Sequence, residues 1–238
     1  VKNGIAIVGA NTTTNTVSAN LLIQNQQNGL LIDAARNNTI DHPYAEGNIA
    51  NGIDIIDGAT ANSVTGGQAD GNHANGIQFG GANTELNNIS GTLIFNNLSN
   101  GIDERDGAIA NHWSNLRMYG DGQKGADLHV IPVTTPRITS ISGNGIITTV
   151  NGTGFNSGGI FASYSVEVYA VALTKAGNPE GRNSLGTALV DVNGNWSLQL
   201  PPGSGLCLTA VESSGFFGFS TGEFGPDSCR AMIPLVAK

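Results

Sequence analysis

Asp54, Asp103 and Asp127, with Arg105 close by, are the residues whose type and spacing could support acid–base chemistry. Each aspartate follows the apolar residue of a recurring tripeptide, as in Asn51-Gly52-Ile53, Asn100-Gly101-Ile102 and Lys124-Gly125-Ala126, so all three share one phase of a repeat. If equivalent residues stack, Asp103 and Asp127 on neighbouring turns stand about 5 Å apart, and Asp54 and Asp103, two turns apart, about 10 Å. These separations straddle those at which paired carboxylates cleave glycosidic bonds with retention or inversion. Any acidic column on such a repeat yields the same multiples, so the reading favoured here is a solvated acidic stripe.

The remaining reactive residues show less pattern. His42, His73, His112 and His129 have no cysteine partners and no metal-ligand spacing, and they are expected on turns facing solvent. No metal site and no cofactor is expected. No Ser/His/Asp order is recognisable. Asp191 to Asn195 resembles part of a calcium loop, but the twelfth position is Pro202 rather than glutamate, and a hairpin turn explains the stretch better.

The elements that must position these residues are set by the repeat itself. Asn-Gly-aliphatic recurs at Asn3, Asn28, Asn51, Asn75 and Asn100, in steps of 25, 23, 24 and 25 residues. Two further columns keep the same phase: Asn15, Asn38, Asn62, Asn87, Asn111, and Asn25, Asn48, Asn72, Asn97, Asp121. Ile5/Ile7, Leu30/Ile32, Ile53/Ile55 and Ile77/Phe79 alternate at strand spacing, and Gly, Asn and Thr interrupt every run before a helix could form. Each period is therefore two or three short strands joined by Asn- and Gly-centred turns in which left-handed residues are needed. In-register stacking would line Ile5, Leu30, Ile53, Ile77, Ile102 and Ala126 along the interior. The asparagines would form ladders whose amides bond the coils above and below.

With that pattern, residues 1–131 resemble the right-handed parallel β-helix proteins, which include pectate lyases, polygalacturonases and phage tailspikes. The resemblance implies fold and is nearly silent on activity. The Asn-Thr-Asp, Gly-His-Gly and Arg-Ile-Lys motifs of polygalacturonases are absent, as is the lyase-like cluster of basic residues around clustered aspartates. One position breaks the pattern. Glu104 falls in the inward slot held elsewhere by Ile7, Ile32, Ile55, Phe79 and Leu128. An unpaired buried carboxylate is expensive; either a bulge turns Glu104 outward, the reading favoured here, or Arg105 or another donor pairs with it.

Beyond Pro132 and Pro136 the period vanishes. Seven short strands are expected between residues 137 and 224, in an antiparallel sandwich. The segments 165–169, 186–188, 191–196 and 208–211 resemble bacterial immunoglobulin-like domains, so residues 132–229 form a second domain and 230–238 an apolar tail. Cys207 and Cys229 would face each other across a hairpin as a disulfide. The fold class is thus all-β: a β-helix of five to six coils followed by an Ig-like sandwich.

Composition narrows the function. Only 12% of residues are charged, 34 are glycine and the net charge is −8, which fits a turn-rich β protein and leaves no basic stripe for nucleic acid. No run spans a bilayer. A chain opening inside a coil suggests a trimmed, secreted product whose signal peptide is gone. The expected function is a non-enzymatic extracellular or cell-surface structural protein that forms homo-oligomers or homopolymers. Its assembly contacts would be Ile5, Ile7 and Val8 at the open end and Ile233, Leu235 and Val236 in the tail. The alternative is a carbohydrate-active or glycan-binding protein using Asp54, Asp103, Asp127 and Arg105.

Overall fold

The computed structural model describes residues 2–129, 135–155, 164–202, 204, 207–214 and 220–228. Every named element is a strand. The first half forms three parallel sheets, and each turn of chain contributes one strand to each. The first sheet runs Ile5–Val8, Leu30–Asp33, Ile53–Ile56, Ile77–Gly80, Ile102–Arg105 and Ala126–Leu128 in sequence order. The second runs from Thr16–Ser18 to His112–Ser114 and the third from Leu21–Ile23 to Arg117–Tyr119, each with five strands. This is a parallel β-solenoid of about five coils.

Register follows the sequence repeat residue for residue. Ile5, Leu30, Ile53, Ile77, Ile102 and Ala126 are successive partners in one file. Ile7, Ile32, Ile55, Phe79, Glu104 and Leu128 make the next inward file. Ile40, Val64, Ile89 and Trp113 from the second sheet, and Leu22, Ile94 and Met118 from the third, close the interior. Burying one such large apolar side chain stabilises by roughly 1.5–3 kcal/mol, and each internal coil contributes several, so the stack is held from within.

The turns hold left-handed residues, but not where glycine alone would suggest. Thr14, Asn37, Ala61, Leu86 and Ala110, each preceding a ladder asparagine, have φ of 55–58°. The glycines of the Asn-Gly repeat lie outside the left-handed region. They are glycine because the coils approach there: a Cβ on Gly29, Gly52 or Gly76 would lie 2.7, 2.7 and 2.8 Å from the carbonyl oxygen of the equivalent glycine one coil on. Close approach between coils, not turn conformation, selects the glycine of the repeated tripeptide.

The second half is two small antiparallel sheets. Arg137–Gly143, Thr148–Thr153 and Asn195–Leu200 form one; Pro179–Leu189, Tyr164–Leu173, Leu208–Ser214 and Ser220–Thr221 form the other. Val150, Val166, Val168, Trp196 and Leu208 build a core of their own. Asp191 makes a hairpin turn, its Oδ1 accepting the backbone N–H groups of Asn193 and Asn195 at 2.8 Å. Cys229 and the segment 230–238, with Ile233, Leu235 and Val236, lie outside the described residues.

This second half sits on the last coil and finishes it. An uncovered solenoid end presents strand-edge N–H groups with no partner. Here the N–H of Asn115 is met by Glu167, those of Gly120 and Asp121 by Glu180, and that of Leu128 by Glu223. Thr221 Oγ1 accepts from the N–H of Trp113 at 3.1 Å. Phe224 packs on the solenoid core, against Gly125, in the direction where every earlier glycine of the file meets another coil. Its ring stands edge-on to Tyr169, centroids 5.5 Å apart.

Candidate functional site

The polar groups that could do chemistry lie on the three asparagine ladders or at their ends. In two ladders each side-chain oxygen accepts from the preceding coil. Asn38 Oδ1 receives both the backbone N–H and the side-chain N–H of Asn15, and Asn62, Asn87 and Asn111 repeat the arrangement, with amide contacts of 2.9 Å. Asn48, Asn72, Asn97 and Asp121 do the same for the ladder that begins at Asn25. A ladder polarised in this direction needs one more acceptor after its last rung.

Carboxylates supply it. Asn111 donates its side-chain N–H to Glu104 Oε1 at 2.7 Å and its backbone N–H to the same oxygen at 3.3 Å. Glu104 is therefore fully buried and faces inward, and the expected outward bulge does not occur. Arg105 is not its partner: the guanidinium reaches Asp106 at 3.0 Å and Asp103 at 3.5 Å. Burial pushes the Glu104 carboxyl up to about 7, against the bonds from Asn111. The second ladder ends at Asp121, whose backbone N–H goes to Glu180. Burial first, and the neighbouring Glu180 second, push Asp121 up to about 8, so this buried pair keeps a proton at neutral pH.

The third ladder runs the other way. Asn3, Asn28, Asn51, Asn75 and Asn100 each accept the backbone N–H of the next coil through Oδ1. Their side-chain N–H groups are left to find acceptors, and the acidic column provides them. Asn28 and Asn51 donate to Asp54 at 2.9 and 3.2 Å, Asn75 to Asp103 at 3.2 Å and Asn100 to Asp127 at 3.5 Å. Gln78, the neutral member of the column, donates to Asp54 at 3.1 Å.

The column Ala6, Leu31, Asp54, Gln78, Asp103, Asp127 is thus in register as expected, but it is not a solvated stripe. Asp54 and Asp103 are buried under the amides they bind, and only Asp127 is partly exposed. Desolvation raises Asp54 to about 6, and it raises Asp103 against the pull of Arg105 and His129.

His112 departs from the expectation of solvent-facing turns, and His129, though solvent-facing as expected, has partners. His112 lies in a strand, half-buried, with Nδ1 2.8 Å from Thr221 Oγ1, and burial lowers its pKa. His129 is exposed yet engaged: Nε2 is 3.2 Å from Asp103 Oδ1 and 3.7 Å from Asp127 Oδ2. Among the described residues, Asp103, Asp127 and His129 bring three potential metal-ligand atoms together, a grouping that the sequence reading did not single out. The overlooked signal was alternation: His129 follows Asp127 by two and so shares its face of the strand. Of the assembly residues, Ile7 is buried, Ile5 half-buried and Val8 exposed.

Comparison with family models, curated proteins and solved structures finds no match. Function must be argued from the geometry.

Proposed function

We propose that the chain is a non-enzymatic structural protein, a stiff β-solenoid spacer closed at one end by its own second half. The observation that carries this reading is the use made of the polar residues. Asp54, Asp103 and Asp121 accept ladder amides of the preceding coil and so hold successive coils together, and Glu104 closes a ladder within its own coil. A glycosidase pair would instead leave two carboxyls facing each other across an accessible groove, so the carbohydrate-active reading on Asp54, Asp103, Asp127 and Arg105 loses support.

The other end of the solenoid suggests how the spacer is used. Its edge strands Ile5–Val8, Thr16–Ser18 and Leu21–Ile23 sit at the margin of their sheets, with Val8 at 51%, Leu21 at 73% and Ile23 at 40% exposure. An exposed edge with apolar side chains favours strand addition by a partner. The partner in this reading is the 230–238 segment of a second copy, giving a head-to-tail, open-ended assembly at a cell surface or outside the cell. In this setting the second half is an Ig-like cap, and a Cys207–Cys229 bridge suits an oxidising compartment. Sedimentation velocity with negative-stain imaging tests the reading. Particles lengthening with concentration, and lost on deleting 230–238, are expected; a monomer at every concentration would refute assembly.

A further inference from the structure

We infer that Asp103, Asp127 and His129 form a binding site for a divalent transition-metal ion of the zinc type, independently of any structural role. One potential ligand atom from each of Asp103, Asp127 and His129 lies within 4.8 Å of the other two. The carboxylates sit opposite each other on adjacent strands, and the His129 N–H extends the ladder by bonding Glu104 O at 2.9 Å, which places the imidazole on the same face.

A second observation points to a ligand. The Asp103 side chain is 4% exposed, yet its Oδ1 receives no hydrogen bond from a described residue, His129 included. A buried carboxylate oxygen without a donor is costly, and a cation in front of it removes that cost. The other oxygens are already engaged. Asn75 and Arg105 hold Asp103 Oδ2, and Lys124 holds Asp127 Oδ1 at 2.7 Å, while Asp127 Oδ2 has only the long 3.5 Å contact from Asn100. Both carboxylates are therefore oriented by outer partners, as metal ligands are, with Asp103 Oδ1 and Asp127 Oδ2 turned toward the imidazole.

The two imidazole–carboxylate distances fit the ion. Bonds of about 2.0–2.2 Å to nitrogen and oxygen put the corners of a tetrahedron roughly 3.3–3.6 Å apart. His129 Nε2 stands 3.2 and 3.7 Å from its two carboxylate oxygens. An imidazole among carboxylates selects zinc, cobalt or manganese over calcium and magnesium, which take all-oxygen shells of six or more. The half-exposed imidazole leaves an approach from solvent, and three protein ligands leave one position open.

Isothermal titration of the full chain with Zn²⁺ tests the site, with electron paramagnetic resonance of the Cu²⁺-loaded protein as a second readout. One ion per chain is expected, with coupling to a single imidazole nitrogen. His129→Gln and Asp127→Asn should each weaken Zn²⁺ binding at least about 10-fold, by comparison with losses at outer-shell positions. His42→Gln and His73→Gln, at exposed histidines elsewhere, should not. His129→Gln replaces a half-exposed side chain, so it decides the matter even if Asp127→Asn unfolds. No saturable binding, or equal affinity in His129→Gln, would overturn the inference.

Discussion

Replacing Asp121 by asparagine should stabilise the protein, and more so as pH rises. Every other rung of its ladder is asparagine, and Asp121 accepts from Asn97 as those residues do. An asparagine would keep that acceptor and turn an N–H toward Glu180. The aspartate must instead hold a proton: its ordinary pKa of 3.8 rises to about 8 in the folded chain. The native state then binds the extra proton, so this contribution to stability is complete below about pH 3.8 and is lost as pH rises through about 8. At pH 7.5 taking up that proton costs about 5 kcal/mol, at 1.36 kcal/mol per unit. Sharing that proton with Glu180 returns part, so roughly 2–3 kcal/mol should be gained in Asp121→Asn. At pH 4.5 the same arithmetic leaves about 1 kcal/mol at most. For a chain of this size each kcal/mol moves Tm by about 2–4 °C, so a rise of roughly 5–10 °C is expected at pH 7.5. Thermal melts followed by circular dichroism at both pH values provide the measurement. A variant less stable than the parent at pH 7.5, or one with the parent's pH slope, would refute the account of the ladder's end.

Substitutions at Gly76 and Glu104 probe the same architecture, with Gly58 as a control. Gly76→Ala would put a Cβ 2.5 Å from Ile94 Cγ2 and 2.8 Å from Gly101 O; a loss of about 1–3 kcal/mol is expected from overpacking, read by urea unfolding, whereas Gly58→Ala meets no neighbour and tests only the left-handed turn. Glu104→Ala removes the last acceptor of a ladder and leaves a cavity, for an expected loss of about 2–4 kcal/mol. Glu104→Gln keeps the acceptor for Asn111 and should stay within about 1 kcal/mol of the parent in the same urea unfolding measurement.

The solenoid was legible because parallel stacking turns one-dimensional spacing into contact. A residue about 24 positions on is the neighbour across a strand, so Ile5, Leu30, Ile53 and Ile77 could be placed in one file, and the asparagine columns read as ladders, from spacing alone. In the second half the sequence pattern marks a strand at residues 164–173, and the structure keeps those bounds, because turn signals flank it. The local pattern marks the next strand at residues 185–192; the structure runs it from Pro179 to Leu189, because pairing with Tyr164–Leu173 extends its start past that pattern.

Only the tertiary structure decided what happens where the repeat stops. Glu104 looked like a misfit because the period assigns its slot to an apolar residue, whereas its role comes from the coil that does not follow. Asp54 and Asp103 looked solvated because outward residues of a lone strand are; the third ladder runs opposite to the other two and aims its amides at them. The cap's glutamates and Phe224 follow no period, since each depends on what packs across a boundary. Repetition carries contacts into sequence; termination and closure depend on pairs far apart in the chain, and those exist only after folding.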